Sequence, residues 1–186
     1  MLPGTTAKLQ RAYPSHAFLF NPEFLQESKA LEDMLHPLRQ IVGHTEKSQG
    51  IAQQILEMLP PAPLAKIIGA EEAEMVKYFG NTFLALKVIF ANQIADLCER
   101  LGIDYETVRE CAGADPRIWQ GHLNVRHSGY RGDGGKCFPK DMRAFIRFAR
   151  EKGLELRLHE VGESLNAELM KLQGIEDPEK FSTRED

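Results

Sequence analysis

The first 69 residues alternate short apolar runs with amphipathic stretches. AFLF (17–20), RQIVG (39–43) and AKIIG (65–69) are short and bounded by polar or proline-containing segments, which predicts strands. Residues 23–35 and 45–58 read as helices between them. Strand–helix alternation is the grammar of a parallel α/β sheet. Three strands can hardly cover both faces and both edges of such a sheet. The pattern therefore implies a further piece, either before Met1 or on another chain that completes the layer.

From Glu71 the pattern changes to nearly continuous helix through residues 71–101, on the order of 45 Å at 1.5 Å per residue. Its first turn is acidic and Gly102 follows its end, as capping rules expect. Residues 82–90 are apolar nearly all round, which predicts burial on several sides. A helix from Asp104, a glycine-rich irregular loop (113–136), and helices over 139–152 and 156–172 follow. The expected class is α/β followed by all-α: a partial Rossmann-like parallel sheet (1–69), a helical domain built on one long central helix (70–174) and a flexible tail (175–186).

Composition narrows the function classes. An apolar fraction of 42% supports a real core, and a net charge of −4 with dispersed Lys and Arg argues against a nucleic-acid platform. Three cysteines without regular spacing suggest a reducing compartment, no disulfide framework and no zinc site. No signal-peptide pattern and no membrane-spanning apolar run are present, so a cytoplasmic location is expected.

The most informative segment is GGKCFPKD, residues 134–141. Proline is favoured in the first turn of a helix, so Cys137 is expected at or just before a helix N-terminus. Unpaired amides and the positive end of the helix dipole there, with the ammonium of Lys140, favour a thiolate over a thiol. Gly134 and Gly135 permit close backbone approach to a ligand, and Asp141 lies one turn on. A lone cysteine is more often a small buried hydrophobe, the reading that suits Cys98 and Cys111 in their apolar helical runs. For Cys137 alone the two readings stay open.

Two further constellations bear on it. NPEFLQES (21–28) follows the first predicted strand, where open α/β sheets build their sites. Its Glu23 and Glu27 are four apart on a predicted helix, or are simply two solvated glutamates. In KYFGN (77–81), Lys77 and Asn81 lie one turn apart on the long helix and need partners there. A structural network or a developing oxyanion would serve equally.

Together these segments resemble the UDP-glucose/GDP-mannose dehydrogenase family over roughly residues 1–170. A PGT segment, NPEFLxE, the KxxxNTFLALK helix, DPRI and GGxCFPKD occur in the family's order. The resemblance implies oxidation of a nucleotide sugar's primary alcohol to a carboxylate with two NAD, UDP-glucose being the default substrate. Cys137 would attack the intermediate aldehyde, giving a thiohemiacetal and then a thioester. Glu23 would be the acid/base, Lys77 with Asn81 would stabilise the oxyanion, and Asp141 would orient a water or Lys77. Glu27 and Lys140 would lie at the cofactor side. Phe24, Leu25, Gly134, Gly135 and Arg117, the last offered across a dimer, would contact substrate. The helix over 71–101 would be a homodimerisation core.

The chain departs from that family in three places. No GxGxxG opens a strand–helix unit, and the start lies inside the family's STxLPGT motif, so the NAD site is expected to be incomplete. The family's C-terminal nucleotide-sugar domain is expected to be missing after Leu172. Asp133 stands where the family has an aromatic; its carboxylate would oppose a thiolate, with Arg126 and Arg131 offsetting it. The expectation is a chain inactive alone, with a separate polypeptide supplying the Rossmann half. The alternative is a non-catalytic dimerisation or interaction module derived from this family.

Overall fold

The computed structural model describes residues 1–26, 29–126 and 129–179. The chain divides into two compact units, Met1–Phe79 and Gly80–Asp186. The first contains α1 (Thr5–Ala12), β1 (Leu19–Phe20), α2 (Ala30–Leu35), β2 (Arg39–His44), a 3-10 turn (Gln49–Ile51), α3 (Ala52–Met58), β3 (Leu64–Gly69) and the start of α4 (Ala70–Leu101).

The sheet order is β1-β2-β3. β2 and β3 are parallel, in register from Arg39↔Leu64 to His44↔Gly69. β1 corrects the all-parallel expectation: it runs antiparallel, Leu19 opposite His44 and Phe20 opposite Gly43. A parallel partner needs a crossover element packed on the sheet, and α2, six residues with none buried, is not one. The β1 ladder stops because Pro22 has no N–H to give. The Asn21 side-chain amide takes its place, donating to the Ile41 carbonyl at 2.8 Å.

The helix expected over 23–35 is reduced to Ala30–Leu35, and residues 21–26 are irregular. Side chains there capture backbone donors that a helix would use: the Leu25 N–H donates to the Glu23 carboxylate, and that of Gln26 to Asp33 Oδ2 at 2.8 Å. Likewise the helix expected from 45 is delayed, because the Thr45 N–H donates to Ser48 Oγ at 2.8 Å and closes a turn first. Helix α1 was not expected at all; it starts behind Gly4, whose φ of 88° suits glycine.

β3 runs straight into α4. A Cβ on Gly43 would lie 2.6 Å from that of Ala73, so only glycine lets β2 and α4 approach this closely. Glu74 is fully buried one turn into α4. It accepts from the Gly4 N–H at 2.6 Å, the Thr6 N–H at 2.8 Å and the Thr6 hydroxyl at 2.6 Å.

The second unit holds the rest of α4 with α5 (Tyr105–Gly113), α6 (Phe138–Glu151) and α7 (Arg157–Lys171). Asp104 caps α5, accepting from the Thr107 N–H at 3.0 Å and its hydroxyl at 2.6 Å; these bonds hold its carboxyl below the usual range. Ala85, Met142 and Ile146 form the core, with Leu86 and Phe138 against it. Gly162 leaves room for Leu86, whose Cδ2 lies 2.4 Å from where a Cβ would be. The expected burial of residues 82–90 on several sides holds for Thr82, Ala85 and Ile89, while Phe83 and Phe90 are 58% and 62% exposed. Residues 175–179, expected in a flexible tail, are packed. Ile175 and Pro178 are buried, and the Pro178 carbonyl accepts from the Gly135 N–H at 2.9 Å. Residues 180–186 lie outside the described residues.

Candidate active site

Cys137 is the N-cap residue of α6, with Pro139 in the first turn. The thiol is exposed, and the Cys137 carbonyl accepts the Asp141 N–H at 2.9 Å, the first bond of the helix. Sulfur therefore sits at the end of α6 where the first-turn amides lack intrahelical acceptors and the dipole is positive.

Asp141 is buried one turn into α6. Asn81 Nδ2 donates to its Oδ2 at 2.6 Å, and the half-exposed Lys140 ammonium contacts its Oδ1. The carboxylate that follows Cys137 thus has partners on α4 and on α6 itself. Gly135, at φ 83°, faces open space, and a Cβ on Gly134 would meet the Tyr130 hydroxyl at 2.7 Å. His122, at φ 65°, packs its ring 5.6 Å from that of Phe138, the residue after Cys137.

In the first unit, Lys77 donates from its ammonium to the Glu23 carbonyl and lies 3.4 Å from Glu23 Oε2. The Arg39 guanidinium stacks 3.8 Å over the Phe24 ring, with Lys77 Nζ 5.8 Å from the same ring. Leu25 is exposed beside them. Glu23 is not on a helix, so the shared helical face proposed for Glu23 and Glu27 is not formed at Glu23; Glu27 lies outside the described residues. Arg117 is exposed and paired with Asp115 through Nη2 at 2.6 Å.

One positioning residue escaped the sequence reading. Lys87 donates to the carbonyls of Ile118 and Trp119 at 2.8 and 2.9 Å, fixing the loop that carries Arg117; burial lowers its affinity for a proton. A lysine inside LALKVIF was the available signal. Arg131, expected to offset the Asp133 carboxylate, instead donates to Asn92 Oδ1 and its carbonyl at 2.9 Å and pairs with Asp96 at 2.6 Å; the cation beside Asp133 is Arg143. Asp133 is 7% exposed, and burial pushes its carboxyl up to about 7. Cys98 is buried as expected, but Cys111 is exposed: it lies on the outer face of the last turn of α5, not in the core. Among the described residues no group of His, Cys, Asp or Glu could hold a metal ion, and no helix is long and apolar enough to cross a membrane.

Residues 71–168, which carry Lys77, Asn81, Cys137 and Asp141, match the central domain of the UDP-glucose/GDP-mannose dehydrogenase family. The chain belongs to that family. A UDP-glucose 6-dehydrogenase of Pseudomonas aeruginosa is 40% identical over 149 residues, 79% of this chain and 32% of the relative. One from Bacillus subtilis is 39% identical over 160 residues, 86% of this chain and 34% of the relative. The chain thus spans about a third of the length of these curated relatives. Among solved structures, a UDP-glucose dehydrogenase of Pyrobaculum islandicum superposes with a TM-score of 0.79 at 35% identity, covering 94% of this chain and 43% of that one. A UDP-D-ManNAc dehydrogenase of Pyrococcus horikoshii shares the fold, with a TM-score of 0.78 at 23% identity over 94% of this chain and 41% of its own.

Proposed function

We propose that this chain contributes the covalent step of a nucleotide-sugar dehydrogenase, with UDP-glucose as substrate and Cys137 as nucleophile. The observation that carries the reading is an exposed thiol at the N-terminus of α6, within the region matched to the family's central domain. The sulfur adds to the C6 aldehyde of the oxidised sugar. An S–C bond forms, the carbonyl π pair moves to oxygen, and that oxygen takes up a proton to give a thiohemiacetal. The adduct is the species from which a hydride acceptor held outside this chain would take hydride to leave a thioester; water adding to the acyl carbon with loss of the thiolate would then release the carboxylate and return the thiol.

Roles for the other residues follow the resemblance. Lys77 with Asn81 stabilises oxyanion charge, Asp141 orients a water or Lys77, and Glu23 exchanges the proton; the Asn81–Asp141 bond also braces the start of α6. Lys140, Gly134 and Gly135 frame the pocket, while Phe24, Leu25 and Arg117 contact substrate. NAD is the hydride acceptor the resemblance implies. The strand-to-helix junctions described here do not fit its pyrophosphate. β3 enters α4 with Glu71 and Glu72 in the first turn, and a Cβ on Gly69 would lie 2.1 Å from Glu72 Oε2. Carboxylates at that helix end repel phosphate, so no step is routed through NAD in this chain.

A homodimer through α4 belongs to the same proposal. Phe83, Phe90 and Leu97 recur every seven residues and are each more than half exposed, the stripe a partner helix covers. The stripe also suits a non-catalytic dimerisation module, and the thiol chemistry separates the two. The test is the 6-aldehyde of UDP-glucose labelled with ¹³C at C6, followed by NMR with the full chain and with Cys137→Ser. A thiohemiacetal resonance in the first and none in the second is expected. Free hydrated aldehyde in both would overturn the catalytic reading and leave the module.

A further inference from the structure

The glycine-rich loop before Cys137 is held against its surroundings at Arg131, Gly132, Asp133 and Gly135. The Arg131 N–H donates to Gln173 Oε1 at 2.8 Å, and Gln173 Nε2 returns a bond to the Arg131 carbonyl at 2.9 Å. Gly132, at φ 95°, brings the backbone so close to α7 that a Cβ would lie 2.7 Å from Asn166 Oδ1. Asn166 then holds Asp133 from both sides: the Asp133 N–H donates to Oδ1 and Nδ2 donates to the Asp133 carbonyl, each at 2.8 Å. The Gly135 N–H ends on the Pro178 carbonyl.

This seating places the Asp133 side chain in a small cavity floored by Ala85, Ile89, Met142 and Pro139 and closed by Gly162 and Asn166. Two charged groups face it there, Glu163 from α7 and Arg143 from α6. Arg143 is already committed, with Nε to Glu163 at 2.9 Å and Nη1 to Glu179 at 2.9 Å. A carboxylate pressed into an apolar floor beside another carboxylate favours its protonated form there, although its own backbone N–H and Arg143 pull the other way.

We infer that Asp133 is a positioning residue whose protonation latches the loop leading into Cys137 onto α7, and whose ionisation releases it. The proton affinity agrees with the geometry: the ordinary carboxyl of about 3.8 is raised to about 7, chiefly by burial and then by Glu163. In the released loop the carboxyl ionises first, so between those values each pH unit favours release by about tenfold, and above about 7 the ratio levels off. The consequence for chemistry rests on the role proposed for Cys137, since residues 133–137 are contiguous; the latch itself does not.

The test is amide hydrogen exchange at Asp133 and Gly135 in the full chain, corrected for the intrinsic pH dependence of exchange, from pH 5 to 9. Protection is expected to fall about tenfold per unit up to pH 7 and then flatten, whereas Asp133→Asn stays protected throughout. A flat profile in the wild type, or the same slope in the variant, would overturn the latch. The ¹³C carboxyl shift of Asp133 in the wild type gives a reading that needs no variant. A midpoint near 7 supports the latch and one near 4 refutes it. Loss of the aldehyde adduct with this profile intact would remove the proposed nucleophile and leave the latch; the reverse result would do the opposite.

Discussion

Replacing Asn81 by alanine removes a neutral donor that α4 gives to the buried Asp141 carboxylate. A second partner, Lys140, has a side chain 57% exposed, so water competes for it. A hydrogen bond to a charged group contributes about 1.5–3 kcal/mol, and Asp141 is buried from solvent. Asn81→Ala is therefore expected to destabilise the second unit by about 2–3 kcal/mol. Asp141→Asn is expected to cost less, because it discharges the site but retains an acceptor. In the double variant the carboxylate is no longer there to be stranded, so the two effects should fall short of additivity by about 1.5–3 kcal/mol. The chain's single tryptophan, Trp119, lies in the same unit, so urea unfolding followed by its fluorescence reports on this unit. A coupling below about 0.5 kcal/mol, the scatter of independent sites, would show that the Asn81–Asp141 contact does not hold α4 to the helix that presents Cys137.

Glu74→Ala strands three buried donors at Gly4 and Thr6 and should cost about 3–5 kcal/mol; Glu74→Gln keeps the Thr6 bonds and should cost less, as measured by urea denaturation followed by circular dichroism. Asp133 stabilises the fold only while protonated: the unfolded carboxyl ionises near 3.8 and the native one near 7, so stability falls through that window by up to about 4 kcal/mol. Asp133→Asn should raise Tm at pH 8 and leave it nearly unchanged at pH 4. Phe90→Asp places a charge in the exposed heptad stripe and should shift the mass by light scattering from dimer to monomer; an unchanged mass would remove α4 as the interface.

Much of the architecture was legible because it is local. Pro139 and the charge pattern after Cys137 located the start of α6, and the unbroken helical periodicity after Glu71 gave α4 almost to its ends. Direction of β1 was not legible, because two residues carry too little pattern to fix a partner whose pairing lies 23 and 25 residues away. The false helix at PEFLQ arose because Glu23 and Asp33 capture backbone donors, a contest that periodicity does not register. Exposure of Cys111 depends on which face of α5 finds the core, and the shortness of that helix left the face ambiguous. Glu74 shows the converse. An acid in the second turn of α4 reads as a solvated charge until α1, 68 residues away in sequence, supplies its donors.

The proposed chemistry depends on where the sulfur of Cys137 sits relative to helix charge, and the chain contains its own reference. Cys137 and Cys111 are both exposed, one at the N-terminus of α6 and the other in the last turn of α5. Opposite helix ends differ by about 0.6–2 kcal/mol for a negative charge, or about 3- to 30-fold in rate if the whole difference is felt by the attacking sulfur. Peptide mass spectrometry of the native chain during limited iodoacetamide treatment at pH 7 measures both rates at once. Cys137 labelling several-fold faster than Cys111 is predicted; equal or slower labelling would contradict a helix-activated nucleophile at this position.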